Sequence, residues 1–217
     1  MLKLLLTLFL SAILSQITVV NAQIEGGIGM VTQKFFGSAN SDFRFGLAPH
    51  LAVGYQNILY IGGEYQYYFP HSFPINEPIK EIATDKIIEI TSEAQARIQS
   101  YSLWVKYIWA QPTPKKRNQF YIQGGAVYLQ YHYNLSNRQD YDSNKYIRLQ
   151  SDANVITAWM VEAGIGYEWL IGKWAGVYLE ARGRYPLSRR SDVFEEVEIN
   201  SALQIQAGMR LRYSKKK

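Results

Sequence analysis

Histidine is the residue type to weigh first for chemistry, because a neutral imidazole can act as a general base or hold a metal. The chain has three. On an extended strand, residues two apart share a face. A serine two residues from a histidine could therefore form a nucleophile–base couple. No histidine here has one. His50 has Ala48 and Ala52 at that spacing, His71 has Phe69 and Phe73, and His132 has Gln130 and Asn134. No acidic pair accompanies the three histidines, which makes them poor metal ligands. There is no cysteine, which excludes thiolate zinc sites and a lipidated N-terminal cysteine. Gly26-Gly27 and Gly62-Gly63 follow no phosphate-loop pattern and suit strand curvature instead. The expectation is a protein without catalytic, metal or cofactor residues, not an enzyme.

A second set of reactive side chains is charged. Glu25, Glu64, Lys106, Glu162, Glu168, Glu180, Arg182, Arg184, Arg210 and Arg212, with Arg44, fall on one face of alternating segments. Such charges can neutralise one another in a narrow interior, or they can line a narrow or gated ion path. Unpaired, they would be costly to bury. Both readings stay open at this point.

The elements that place these charges alternate with period two over about ten residues each, the pattern of a membrane-spanning β-barrel. The last is the clearest. Leu203, Ile205, Ala207, Met209, Leu211 and Tyr213 share one face, and Gln204, Gln206, Gly208, Arg210 and Arg212 the other. Similar segments surround 59–69, 100–109, 159–169 and 177–185. Three segments are less clean. The first, 23–32, is glycine-rich. The second carries Pro49, which cannot donate to a ladder, so a bulge or local break is expected. The fifth, 120–133, reads as switching phase near Gly124-Gly125, with Tyr131 outward and His132 inward.

Connections alternate long and short along the chain. Long ones lie near 33–41, 70–94, 135–154 and 187–200, and short ones near 56–57, 111–118 and 171–173. Outer-membrane barrels have short periplasmic turns and long external loops. Eight strands then place both termini in the periplasm. Aromatic residues also sort by depth. Tyr55, Trp109, Trp169 and Tyr213 sit at the short-turn ends of outward faces. Phe43, Tyr67, Phe69, Tyr101, Tyr131, Trp159 and Tyr185 sit toward the long loops. Two such belts suit the two faces of a bilayer. Residues 78–98 could form a short amphipathic helix or a hairpin extending two strands, and the β-branched content favours the hairpin.

The N-terminus carries Lys3, an apolar stretch over 4–20, and Val20-Asn21-Ala22 before Gln23. This is the pattern of a cleaved secretory signal over 1–22, leaving a barrel domain over 23–217. After it, no apolar run reaches the length of a spanning helix, so a membrane form must be a closed barrel. Aromatic content is 14%, with 17 Tyr and 5 Trp. The net charge of +5 owes much to Lys215-Lys216-Lys217 and does not imply a nucleic-acid partner. Glu195-Glu196, Glu198 and Asp192 beside Arg189-Arg190 read as a solvated external loop. The alternative is a divalent-ion bridge to lipopolysaccharide phosphates.

Gln206-Ala207-Gly208-Met209-Arg210-Leu211-Arg212-Tyr213 resembles the terminal signal read by the barrel assembly machinery, with Gln206, Gly208, Leu211 and Tyr213 at its defining positions. Four residues follow the aromatic one, where many relatives stop. Ala163-Gly164-Ile165-Gly166-Tyr167-Glu168 and 178–185 are similar to the penultimate hairpin of small Gram-negative outer-membrane β-barrel domains. The resemblance implies an all-β, closed antiparallel up-and-down barrel of eight strands in the porin-like superfamily. It also implies outer-membrane lipid and lipopolysaccharide as surroundings, and a monomer or a part of a larger envelope complex. That family includes adhesins, anchors, small pores, secretion components and a few lipid-modifying enzymes, and fold alone does not choose among them. Those enzymes that cleave lipid A esters use a histidine and serine two apart facing lipid, a pair this chain lacks.

Overall fold

The computed structural model describes residues 22–36, 43–56, 58–110, 117–137, 142, 144–149, 153–187 and 201–214. Segments 1–21 and 188–200 lie outside the described residues, and with them the signal sequence and the acidic stretch read there. Nine strands are present among the described residues. They are β1 (Ala22–Phe35), β2 (Arg44–Tyr55), β3 (Leu59–Glu81), β4 (Ile87–Ala110), β5 (Asn118–Asn137), β6 (Tyr146–Arg148), β7 (Ala153–Leu170), β8 (Ala175–Pro186) and β9 (Ala202–Ser214). Eight of them form an antiparallel ring in meander order, closed by β9 pairing with β1 and β2 with β3. Closure satisfies every wall strand on both sides, which lipid requires because it offers no hydrogen bonds. No helix among the described residues is long and apolar enough to cross a membrane.

Alternation decides which residues face in. On β8, every second residue from Gly176 to Pro186 is buried, and the residues between are exposed. The exposed set is apolar: Leu103 is 65% exposed, Ile165 66% and Met30 66%. An apolar band this continuous exceeds what a soluble surface carries. On β4 it runs from Tyr101 to Trp109, about 27 Å along the strand. Above Tyr101 the outward residues become Gln99, Arg97 and Gln95. The upper boundary is marked by paired rings, Tyr65 with Tyr101 at 5.2 Å and Tyr128 with Trp159 at 5.1 Å.

The wall is not of even height. β3, β4, β5 and β7 have 23, 24, 20 and 18 residues, whereas β1, β2, β8 and β9 have 14, 12, 12 and 13. The longer strands continue beyond the apolar band as an extension, and 78–98 is the hairpin within it, with its turn at 82–84. The short β6 crosses from the β5–β7 connection to pair with Ile79, Lys80 and Glu81 on the outer edge of β3. A bulge between Tyr68 and His71 shifts the β3–β4 register. Below it even-numbered β3 residues face in; above it Phe73 and Ile79 do.

One expectation needs correction. β5 does not change phase at Gly124-Gly125. Its register with β7 is unbroken from Asn118 to Asn134, and Tyr121, Gln123, Val127, Leu129 and Tyr131 are all buried. Tyr131 therefore faces in, and His132 faces out. The upper lumen is itself apolar, so polarity stops marking the inward face there. At Pro49, of the bulge or local break expected, the structure has the break. The pairs that would join Ala48 and Pro49 to β3 are missing, and the register is the same on both sides of the gap. The β1 side remains continuous through Ile28 and Pro49.

Candidate functional site: the charged lumen

The inward faces of β1, β3, β4, β7, β8 and β9 bring the charged residues together. Among the lower charges lies a cluster of Ala52, Tyr60, Trp104, Ile108 and Tyr121. Above them, toward the extension, lies a larger one that includes Val31, Phe35, Tyr68, Ile98, Leu129 and Met160. Lipid outside, the apolar layer above and the rings beside them leave the buried charges to solvate one another.

The lower ionic layer is centred on Glu25 and Glu168. Glu25 accepts from Lys106 Nζ, and its Oε2 lies 2.9 Å from Arg212 Nε. Glu168 Oε2 lies 2.6 Å from an Arg212 terminal nitrogen and 3.2 Å from one of Arg210. Gln119 Nε2 donates to the same oxygen at 2.8 Å. Lys106 is held over the Tyr60 and Tyr121 rings, at 4.5 and 5.3 Å. The Arg210 guanidinium sits 3.8 Å from the Tyr178 ring centre. Stacking on ring faces compensates cations that are cut off from water.

The upper layer is centred on Arg182, whose side chain is 2% exposed. Its guanidinium lies 2.7 Å from Glu64 Oε1 and 3.5 Å from Glu162 Oε1, and it donates to Glu180 as well. Arg184 contacts Glu162 at 3.0 Å and donates to Gln33 Oε1 at 2.9 Å. Gln206 Nε2 donates to Glu64 Oε2 at 2.9 Å. Arg210 also pairs with Glu180, which ties the two layers into one network. Arg44 is buried higher, outside these pairs. The paired carboxylates and cations are equal in number, so the network is neutral as a unit.

Its supports include residues that sequence reading did not select as site residues: Tyr121, Tyr178, Gln33 and Gln119. Tyr121 accepts from Arg210 at 2.8 Å and contacts Glu180. Inward parity was the available signal for Tyr178. For Tyr121 no polarity pattern marks a tyrosine as structural rather than interfacial. Both rings need space on the neighbouring strand, and the glycine paired with each provides it. A Cβ on Gly166 would fall 2.1 Å from Tyr121, and one on Gly208 would fall 2.9 Å from the Tyr178 hydroxyl and 2.3 Å from Ile28 O. Gly166→Ala is accordingly expected to cost about 1–3 kcal/mol through overpacking. In a Tyr121→Leu background the added cost should shrink. A double-mutant cycle on urea midpoints measures the difference, and equal costs in both backgrounds would disprove the contact.

Among the described residues no group of three or more His, Cys, Asp or Glu is placed to hold a metal. His50 lies inside, edge-on to Trp104 and Tyr178 at 6.4 and 5.7 Å, with no serine two residues away. The terminal motif divides between faces. Gln206 is buried in the network, Gly208 packs against Gly29 of β1, and Leu211 and Tyr213 point outward.

A closed eight-stranded barrel with an apolar exterior and charge-filled interior has the architecture of small outer-membrane β-barrels, and solved structures share it. The neisserial surface protein A structure superimposes with a TM-score of 0.51 at 13% identity, covering 88% of this chain and 97% of that one. A major outer membrane protein from Thermus thermophilus gives 0.55 at 9% identity, covering 88% and 99%. No family model matches the sequence, and no curated protein matches it. The likeness is one of fold.

Proposed function

We propose that the mature chain is a non-enzymatic outer-membrane barrel, closed through its lumen, with periplasmic termini and the β3–β4–β5–β7 extension outside the cell. The ionic network supports this reading above all else. Cations from three strands and carboxylates from four meet across the interior, buried and mutually paired. An eight-stranded barrel is just wide enough for its side chains to fill. The apolar layer above the network adds a second obstruction to ions. What remains available for function is outside: the extension and the long connections, suited to envelope structure or surface contact. The barrel acts as a monomer or as one member of a larger envelope assembly, with lipid and lipopolysaccharide around it. Gln206, Gly208, Leu211 and Tyr213 serve the assembly machinery during insertion, and no nucleic-acid role is proposed.

Planar-bilayer recording on refolded protein tests the closed lumen. The expected result is no current, or one far below that of an open porin. A large steady conductance would replace this reading with a pore. Orientation has its own test. Protease added to intact cells should cut at the 82–86 turn and leave the barrel protected. N-terminal sequencing of the protein from outer membranes should begin near Gln23.

A further inference from the structure

Above the membrane band, β3 has an exposed edge. β2 pairs with β3 only up to Tyr68, and β6 covers only Ile79 to Glu81. Between these points, among the described residues, no strand pairs with β3 on that side. On its other side β3 is paired with β4 without interruption from His71 to Lys80. An unpaired edge in water is a template for adding a strand from another chain.

Three of the chain's seven prolines fall on this stretch, at Pro70, Pro74 and Pro78. Their spacing of four matters. In an antiparallel ladder a residue turns its N–H and C=O toward the same neighbour, and residues two apart turn the same way. Pro78 O accepts from Leu149 N at 3.4 Å, so Pro78 turns toward the β6 side and is covered there. Glu81 N donates to Lys86 O, so odd-numbered positions turn toward β4. The register is regular above His71. Pro74 therefore turns to the same side as Pro78 and lies in the free part of the edge, while Pro70 sits at the bulge. Of the free edge-facing positions 72, 74 and 76, the central one lacks a donor, yet the ladder to β4 loses none.

We propose that Pro74, in the middle of the free stretch, disarms this edge against strand addition by a second copy of the chain. An antiparallel partner needs consecutive edge positions that both donate and accept. Here the central position offers a carbonyl but no N–H, so a carbonyl of the partner is left without a donor. The inward side of the same strand carries Phe73 and Ile79, both buried, so the extension cannot be made wholly polar for protection. Removing donors from the edge leaves that packing intact.

The test compares wild type with Pro74→Thr in detergent micelles. Barrel integrity is checked by heat-modifiable gel mobility. Particle mass comes from light scattering, and protection of 71–77 from hydrogen exchange. Wild type should hold one barrel per micelle, with Ser72 and Asn76 amides exchanging fast. The variant should form two-barrel particles and protect those amides. The restored donor counts twice in a symmetric pair, so association should strengthen about tenfold. A folded variant that stays single and unprotected overturns the proposal. So does a wild type that self-associates with these amides protected. If the variant loses its gel shift, Pro74→Val, which restores the same donor, carries the same expectation.

Discussion

Replacing Arg182 with alanine is expected to destabilise the barrel by about 3–5 kcal/mol, the range for removing one partner from a buried ionic group. Arg182 touches three carboxylates, and their other contacts determine the cost. Glu180 retains Arg210, and Glu162 retains Arg184. Glu64 keeps the neutral donors Gln206 and Gln66 but, among the described residues, no second ion pair. Most of the penalty should therefore fall on Glu64. Glu64→Gln in the Arg182→Ala background should recover part of the loss. Arg182→Lys should recover less than a full repair, because one ammonium cannot serve three acceptors in a forked geometry. The measurement is the urea midpoint in lipid vesicles, with unchanged m-values showing that the same transition is compared. An unshifted midpoint would mean that water already reaches these groups. Conductance on the same variant reports whether losing the central cation opens a path.

Ala207→Arg tests the opposite face and should cost about 2–4 kcal/mol, the range for a cation facing the bilayer midplane of such a barrel. Ala207 is midway along the outward row of β9, between Ile205 and Met209, both largely exposed to the surroundings. Ala207→Leu adds bulk without charge and should be close to neutral, since lipid conforms to it. If Arg and Leu behave alike in vesicles, this face is not in hydrocarbon. The pair of variants separates charge from size, which a single substitution does not.

How far the sequence could be read follows from what alternation reports. Period two identifies two faces, and polarity then says which face is the lumen. On β7, β8 and β9 the lumen is charged, so Glu162, Arg182 and Gln206 could be placed from sequence. On β5 the inward row passes from Gln123 to Val127 and Leu129, because the upper lumen is an apolar core. The outward row there becomes polar where the strand leaves the membrane. Both clues reverse together, and the reversal reads as a phase change that the backbone does not make. The β3–β4 hairpin was legible through its β-branched residues. The bulge at 68–71 was not, nor was β6, a strand of three residues whose partner lies far away in sequence. Individual ion pairs were also beyond reach, because cross-lumen partners depend on strand stagger that no local pattern carries.

The seam between β1 and β9 bears on how the barrel comes to be made. Ile24 pairs with Tyr213, so the first strand of the chain and the last must meet. Every other wall contact joins neighbours in the meander, and these can form while the rest of the chain is still arriving. The seam alone waits for complete synthesis, and it carries the largest loss of chain entropy of any pairing in the fold. The contact of Glu25 with Arg212 across it forms only then. A chain ending before β9 would hold two open edges and an uncompensated lower layer in the periplasm. Such a product should be an object of proteolysis rather than a smaller barrel.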